Sequence, residues 1–161
     1  MIIEGHKFEC IGKIDVQRNV DGSVKPFMPQ SRYENKKNLP LNKYGIGPFC
    51  KFKIGKGIKS AGVYFILCKD DIRYIGQTIN LEKRWSSNGY GGISPRNCFK
   101  NGQETNCRLN NLIFESQTSR EELFLWYCNM PNEKSKLDEV EYSLISQFQP
   151  IWNNARTTII L

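Results

Sequence analysis

Apolar and polar residues follow different patterns in two parts of this chain, which divides near residue 60. Before that point, alternation predicts strands over residues 7–16 and 49–54, separated by a long loop over residues 25–48. After it, apolar runs predict strands over 62–68, 72–78 and 122–128, and helices over 80–86, 107–115 and 134–147. This order predicts an α/β (α+β) fold: a small mixed three-stranded central sheet flanked by helices, preceded by a β-rich basic extension.

Positive charge is concentrated in the first part of the chain. Residues 1–60 contain 12 Lys and Arg against 5 Asp and Glu, whereas residues 61–161 contain 11 of each class. An excess of this kind suggests a polyanionic partner, either nucleic acid or an anionic membrane face. An ordinary soluble surface can carry a similar lysine excess, so charge alone does not identify the partner.

Cysteine and histidine usage gives little support for a zinc site. The six cysteines form no C-x-x-C pair, and His6 is the only histidine. The chain shows neither a secretory signal nor an apolar run of membrane-spanning length. We therefore expect a cytoplasmic (intracellular) protein with reduced, mostly buried thiols and no membrane partner.

One carboxylate of the last predicted helix, Glu141, falls on the apolar face of that helix. Leu137, Val140 and Leu144 define this face, and steps of about 100° per residue place Glu141 about 40° from Leu137. Glu139 falls on the opposite, solvated side. A buried charge is costly without a partner. Glu141 is thus either a metal-binding or catalytic group, or a residue that curls outward or forms an ion pair.

Two tyrosines lie in the first two predicted strands of the second part. A three-residue loop after Cys68 would pair Cys68 with Ile72 and therefore Tyr64 with Gly76. Tyr74 would then lie diagonally beside Tyr64 on the same face, and Gly76 would leave room above the sheet for a substrate. A two-residue loop without a bulge would put the tyrosines on opposite faces. Core tyrosines without a catalytic role are also common.

These residues lie within a set of motifs that resembles the GIY-YIG nuclease family. The similarity extends over about residues 61–154 and consists of five elements in the family's order. It implies a nuclease domain over residues 61–161. The positive charge of residues 1–60 predicts a basic N-terminal extension whose strands and loop contact DNA, and the alternative is a simple structural extension. The matching residues are Gly62-Val63-Tyr64, Tyr74-Ile75-Gly76-Gln77-Thr78, Asn80-Leu81 with Arg84, Glu141, and Asn153 beyond Pro150.

The resemblance implies a role for each residue in hydrolysing a phosphodiester bond. Glu141 would bind one Mg²⁺, or Mn²⁺ in its place, and this cation would stabilise the leaving 3′ oxygen. Arg84 would bind the scissile phosphate. Tyr64 would act as general base or orient the attacking water, and Tyr74 would bind the phosphate or that water. We expect these side chains to converge around one phosphate-sized pocket, with Glu141 on the same side of the sheet as Tyr64.

Three further details qualify these roles. Asn153 would hold the local chain or the surroundings of the metal. A tyrosine has an ordinary pKa of about 10, so Tyr64 could act as a base only beside a cation. Many relatives have a histidine four residues after the arginine, where this chain has Asn88, which cannot act as a base. Tyr90 lies close enough in sequence to replace that histidine.

The segment over residues 89–110 has a composition that suits DNA recognition. Arginine can bind guanine, asparagine and glutamine can bind adenine, and glycine allows close approach of the backbone. The alternative is a polar surface loop. We predict DNA contacts from Arg96, Lys100, Asn106 and Arg108 in this segment, and from Lys51 and Lys53 on the cationic face of the earlier strand.

The resemblance implies an Mg²⁺-dependent endonuclease that acts on double-stranded DNA, sequence-specific in the manner of a restriction enzyme. Because one such site cuts one strand, a break in both strands would favour a homodimer or two successive nicks. Three other interpretations remain open. The chain could be a structure-specific or mobile-element nuclease of the same family, or a basic α/β protein with an unrelated ligand. It could also be a DNA-binding module without catalysis, against which the intact Tyr64, Tyr74, Arg84 and Glu141 argue.

Overall fold

The computed structural model describes residues 1–153. Its strands are short at the N-terminus and longer after residue 60. Two 3-10 helices cover Pro29–Arg32 and Pro95–Cys98. The remaining elements are β1 (Ile2–Ile3), β2 (His6–Lys7), β3 (Glu9–Lys13), β4 (Asp15–Val16), β5 (Phe52–Lys53), β6 (Gly62–Cys68), β7 (Asp71–Thr78), α1 (Leu81–Trp85), α2 (Glu104–Thr118), β8 (Phe124–Asn129) and α3 (Lys134–Phe148).

Residue contacts divide the chain into two compact units, each built from separated stretches. The sheet unit comprises Met1–Ile14, Ile54–Glu82 and Glu122–Leu161, and the basic unit comprises Asp15–Lys53 and Lys83–Glu121. The functional division at residue 60 stays a prediction. No helix within residues 1–153 has the length and hydropathy needed to span a membrane.

An antiparallel sheet forms the centre of the sheet unit, with strand order β3-β8-β6-β7. The predicted fold class is confirmed, with one more strand than expected. The extra strand is β3, from the segment that was predicted as one strand over residues 7–16. That segment is instead divided among β2, β3 and β4, with breaks at Phe8 and Ile14. Within β3 a bulge lies between Cys10 and Gly12, and Gly12 has a φ of +145°. Beyond Lys13 the chain leaves this sheet and pairs as β4 with β5.

The β6–β7 hairpin has a different turn from the predicted one, yet it keeps the predicted pairing of Tyr64 with Gly76. Cys68 pairs with Asp71, so the loop contains two residues rather than three. A bulge after the pair Ile66–Tyr74 then shifts the register by one residue. Because of this bulge, both tyrosines remain on the same face.

Helix α3 covers the other face of this hairpin. Leu137, Val140 and Leu144 are buried in one apolar cluster that also contains Phe65 and Ile75. The helix ends at Phe148, where Gln149 adopts a left-handed conformation with φ 45° before Pro150. The helix therefore presents its apolar stripe to the sheet, as its periodicity predicts.

The basic unit depends less on strand pairing. Helix α2 is three residues longer at each end than predicted, and an apolar cluster beside it contains Phe49, Phe99 and Cys107. Amide side chains hold the long loops in place through hydrogen bonds to their backbone. Asn110, fully buried on α2, donates to the Cys50 and Tyr90 carbonyl oxygens at 2.8 and 2.7 Å and accepts from the Cys50 N–H at 2.9 Å.

Candidate active site

The two predicted tyrosines lie side by side on one face of the β6–β7 hairpin. Their ring centroids are 6.3 Å apart, and both are buried, Tyr64 at 1% and Tyr74 at 9% exposure. A Cβ atom placed on Gly76 would lie 2.6 Å from the Tyr64 hydroxyl oxygen. The space above Gly76 is thus filled by the Tyr64 phenol. The prediction that Gly76 leaves this space open to a substrate is wrong.

Glu141 is held against β7 by an amide side chain. Gln77 Nε2 donates to Glu141 Oε2 at 2.8 Å and to Asp138 Oδ1 at 2.5 Å. Glu141 is half-buried and Glu139 is exposed, as their positions on the helix predict. Among residues 1–153, no lysine or arginine forms an ion pair with Glu141. The ion-pair alternative therefore does not describe Glu141.

The hairpin backbone lies between the tyrosines and α3. Phe65 and Ile75 pack with α3, whereas Tyr64 and Gly76 are their strand neighbours and face the other way. Glu141 approaches β7 from the α3 side, so the prediction that it lies on the same side of the sheet as Tyr64 is wrong. The cause is the alternation of side chains along β7. Because β7 is the terminal strand of the sheet, both faces of the hairpin end at the edge of β7.

Asn153 occupies part of this edge. Its Oδ1 atom accepts from the Ile75 N–H at 2.9 Å, and its Nδ2 atom donates to the Ile75 carbonyl at 2.8 Å. The Trp152 N–H donates to the Arg73 carbonyl at 2.9 Å. These contacts hold the segment after Pro150 along β7, which agrees with the chain-holding role considered for Asn153.

Arg84 and Tyr90 belong to the basic unit and contact each other. The guanidinium lies 5.5 Å from the Tyr90 ring centroid, and the Tyr90 N–H donates to the Arg84 carbonyl at 2.8 Å. The Tyr90 ring is 2% exposed and packs edge-on against Trp85, with centroids 5.2 Å apart. Tyr90 therefore orients the arginine, while its role in place of the missing histidine stays a prediction.

The cations predicted to contact DNA are accessible to different degrees. Lys51, Lys53 and Lys100 are exposed, and Arg96 and Arg108 are half-buried. Arg96 Nη1 donates to the Lys100 carbonyl at 2.9 Å, which fixes one edge of its guanidinium on the protein. The three lysines have the exposure that a phosphate contact requires.

Two asparagines of the same segment, Asn106 and Asn110, are buried, although the composition of the segment suggested contacts with DNA. Asn106 is 6% exposed and donates to Gln103 Oε1 at 2.8 Å. Asn110 is fully buried and ties two loops to α2. The burial of Asn106 argues against its predicted direct contact with DNA, because its amide faces the first turn of α2 rather than solvent.

The residues around Glu141 fit a hard divalent cation. Within residues 1–153, no group of three or more His, Cys, Asp or Glu side chains could hold a metal ion. Mg²⁺ does not need such a group, since it keeps several waters and is often held by one or two carboxylates. Glu141 offers a half-buried carboxylate that forms no ion pair with a described residue. Asp138 lies one helical turn away and accepts a hydrogen bond from the same Gln77 amide.

The cysteines behave as structural thiols. Five of the six are buried and only Cys10 is exposed, which confirms that most are buried. Burial raises the pKa of Cys50 to about 12, so this thiol stays protonated at neutral pH. Burial also raises the pKa of Cys128.

Sequence reasoning overlooked the part that Gln77 and Asp138 play. Gln77 was recognised only as the residue after the second motif, and Asp138 was not considered. Two signals could have identified them. Asp138 precedes Glu141 by three residues, which is one turn of a helix. Gln77 alternates with Gly76 and therefore faces the helix that covers Ile75.

Comparison with known proteins finds a matching family model and a similar solved structure. A protein-family model described as "GIY-YIG catalytic domain" matches residues 60–155, which is more than half of the chain. A solved structure of a bacteriophage T4 EndoII mutant is similar, with a TM-score of 0.50 and 24% sequence identity over 72% of this chain and 87% of that chain. At this level of identity, the structural similarity shows a shared fold. No curated protein matches at a significant level.

Proposed function

Because the chain belongs to the GIY-YIG nuclease family, we propose that it is an Mg²⁺-dependent endonuclease that cuts double-stranded DNA at specific sequences, as a restriction enzyme does. The observations that carry the proposal are the two tyrosines on one face of the β6–β7 hairpin and the carboxylate held on the other. The Tyr64 and Tyr74 ring centroids are 6.3 Å apart, and Glu141 accepts a hydrogen bond from Gln77 of β7 at 2.8 Å. The proposal places the scissile phosphate at the edge of β7, where both faces of the hairpin end.

Glu141 is the proposed metal ligand, and Asp138, which accepts from the same Gln77 amide, would bind a water of the ion. When bound, Mg²⁺, or Mn²⁺ in its place, supplies a Lewis acid for the leaving 3′ oxygen and positive charge for the phosphate. Gln77 holds the Glu141 carboxylate toward β7 through its hydrogen bond at 2.8 Å. Support comes from the chemistry of the donors, because carboxylate oxygens are the ligands that Mg²⁺ prefers.

The tyrosines and Arg84 are the proposed groups that act on the phosphate and the water. Tyr64 orients the attacking water or removes its proton, and Tyr74 binds the phosphate or that water. Arg84 carries a permanent charge and binds the scissile phosphate by its position in the motif. Tyr90 supports Arg84 through the contact at 5.5 Å, and Asn153 keeps the β7 edge in register. The products then carry 5′-phosphate and 3′-hydroxyl ends.

Contacts outside the reaction centre supply affinity and sequence preference. Lys51, Lys53 and Lys100 are proposed to bind phosphates, and Arg96 and Arg108 to contact DNA beside them. One reaction centre cuts one strand. A break in both strands therefore requires a homodimer or two successive nicks.

A plasmid-cleavage assay tests the proposal. Supercoiled plasmid is incubated with the wild type in Mg²⁺ and in EDTA, and with Glu141→Ala and Glu139→Ala in Mg²⁺. We expect the wild type and Glu139→Ala to cut in Mg²⁺ alone and Glu141→Ala to be inactive. Discrete fragments indicate sequence specificity, and relaxed circles alone would contradict it. DNA binding without cleavage in Mg²⁺ or Mn²⁺ would refute the proposal and indicate an inactive binding module.

A further inference from the structure

Two neighbouring cavities of the basic unit form a cationic surface. The larger, of about 580 Å³, lies between the β5 region and residues 87–95, and the smaller, of about 340 Å³, lies beside the first 3-10 helix. Gln17, Phe27 and Lys51 line both cavities, so the two lie side by side. We call this feature the Lys51 groove.

The charge of the Lys51 groove has one sign. Its lining contains Lys25, Arg32, Lys51 and Lys53 and no Asp or Glu. All four cations are exposed, and none forms an ion pair with a described residue. Such a surface concentrates an electrostatic field that attracts polyanions.

The neutral lining of the groove combines apolar side chains with hydrogen-bonding groups. The Lys51 ammonium lies 4.4 Å from the centroid of Phe27 and covers this aromatic ring. Ser87, Asn88 and Ser94 add neutral hydrogen-bonding groups of the kind that contact DNA phosphates and sugars.

The wall of the groove is continuous with the segment that carries Arg84. The Tyr90 N–H donates to the Arg84 carbonyl at 2.8 Å, and the Gly91 N–H donates to the Ser86 carbonyl at 3.0 Å. Asn88, four residues after Arg84, lines the groove within this compact turn. A DNA strand bound in the groove would therefore run toward Arg84.

We propose that the Lys51 groove binds the sugar–phosphate backbone of the DNA substrate beside the phosphate that Arg84 binds, with Lys25, Arg32, Lys51 and Lys53 each neutralising a phosphate. This inference rests on the proposed function, because it takes DNA as the substrate. It also gives a role to Asn88, which stands where many relatives have a histidine. Asn88 contacts the bound strand as a neutral hydrogen-bonding group.

Binding measured as a function of salt tests the groove without requiring cleavage. Fluorescence anisotropy with a labelled duplex in EDTA gives Kd at several KCl concentrations. The variant is Lys25→Gln with Arg32→Gln, and the matched control is Lys36→Gln with Lys37→Gln, an exposed pair in the same unit outside the groove. Each lost phosphate contact lowers the slope of log K against log salt by about 0.9. We expect the slope to fall by about 2 in the variant and to stay unchanged in the control.

Two results separate the groove from the proposed function. A wild type that binds with a steep slope but never cuts would refute the nuclease while leaving the groove intact. A nuclease whose slope is equal in the variant and the control would refute the groove, as would tighter binding to anionic phosphatidylserine vesicles than to the duplex. The thermal unfolding temperature of each variant must match that of the wild type. We expect this match because all four substituted side chains are exposed.

Discussion

The sheet unit and the basic unit differ in both charge and construction. The sheet unit contains 9 Lys and Arg against 10 Asp and Glu, a net charge of −1, whereas the basic unit contains 14 against 6, a net charge of +8. In the sheet unit, Lys7, Lys13, Lys59, Lys134 and Lys136 form ion pairs. The four cations of the Lys51 groove form no such pairs with described residues.

This difference indicates a division of labour. An ion-paired lysine has its charge already neutralised by a carboxylate, whereas an unpaired lysine without acidic neighbours leaves its charge available to a polyanion. The sheet unit holds its tyrosines and Glu141 in place by strand pairing and helix packing. We infer that the sheet unit supplies the tyrosines and the metal ligand of the reaction, and that the basic unit supplies Arg84 and most of the affinity for DNA. The predictions below test this division.

Removing the Tyr64 hydroxyl should have the largest effect, and only on cleavage. Tyr64→Phe keeps the ring over Gly76 but removes the group proposed to orient or deprotonate water. Positioned acid–base groups contribute about 10²–10⁴-fold, so we expect a fall of at least about 10²-fold in the single-turnover rate. Kd for the duplex should stay within twofold or so. Tyr142→Phe, on the exposed side of α3, is the control. Equal rates in both variants would remove Tyr64 from the mechanism.

Loss of the Gln77 amide should weaken the use of metal by a smaller factor. Gln77→Ala leaves the Glu141 carboxylate in place but without its hydrogen bond at 2.8 Å. Groups that orient a metal ligand typically contribute about 10–100-fold in metal affinity or activity. We expect the Mg²⁺ concentration for half-maximal rate to rise about tenfold, with recovery at high Mg²⁺. The exposed Gln147→Ala is the control, and an unchanged Mg²⁺ dependence in Gln77→Ala would show that the amide is only structural.

A methyl group at position 76 should move the Tyr64 ring. In Gly76→Ala the new Cβ atom would lie 2.6–3.0 Å from three atoms of the Tyr64 phenol, and overpacking of this kind costs about 1–3 kcal/mol. We expect lower stability in urea unfolding and a rate at 25 °C close to that of Tyr64→Phe. A fully active and stable variant would mean that the phenol can lie elsewhere without loss.

The basic unit should depend on single amides for stability. Asn110→Ala removes three buried hydrogen bonds to two loops, which should lower the free energy of unfolding by about 3 kcal/mol. The neighbouring Asn111 bonds the Pro48 carbonyl at the surface, and Asn111→Ala should cost less than about 1 kcal/mol. Equal losses in the two variants would contradict the structural role assigned to Asn110.

The fold of the sheet unit could be predicted further than that of the basic unit. Period-2 strands and the stripe of α3 are local signals, and the motif spacing placed Tyr64, Tyr74 and Glu141 in order along the chain. The face of the sheet to which α3 packs is not a local property. It depends on side-chain alternation along β7, and so the approach of Glu141 from the α3 side was missed. The bulge after Ile66 was not predicted either. A three-residue loop, and a two-residue loop followed by a bulge, give the same strand pairs from Ile66–Tyr74 onward, so the pairing does not distinguish them.

The basic unit gave weaker signals because its order comes from long-range hydrogen bonds. A segment rich in asparagine has the same composition whether its amides contact DNA or hold loops. Asn110 holds loops, and nothing in its sequence neighbourhood distinguishes it from the half-buried Asn111. The charge of the N-terminal third was informative, but its continuation through residues 83–121 was not recognised, because the two stretches are brought into one unit only by the fold.

The central claim is that Glu141 holds a divalent cation at the edge of β7, within reach of the tyrosines on the other side. The most direct test is an anomalous difference map from crystals of the wild type grown with Mn²⁺ and a DNA duplex. The account predicts one peak about 2.2 Å from a Glu141 carboxylate oxygen, with a DNA phosphate between that peak and Tyr74. A peak on the α3 side with no phosphate near either tyrosine, or a metal bound away from Glu141, would contradict it.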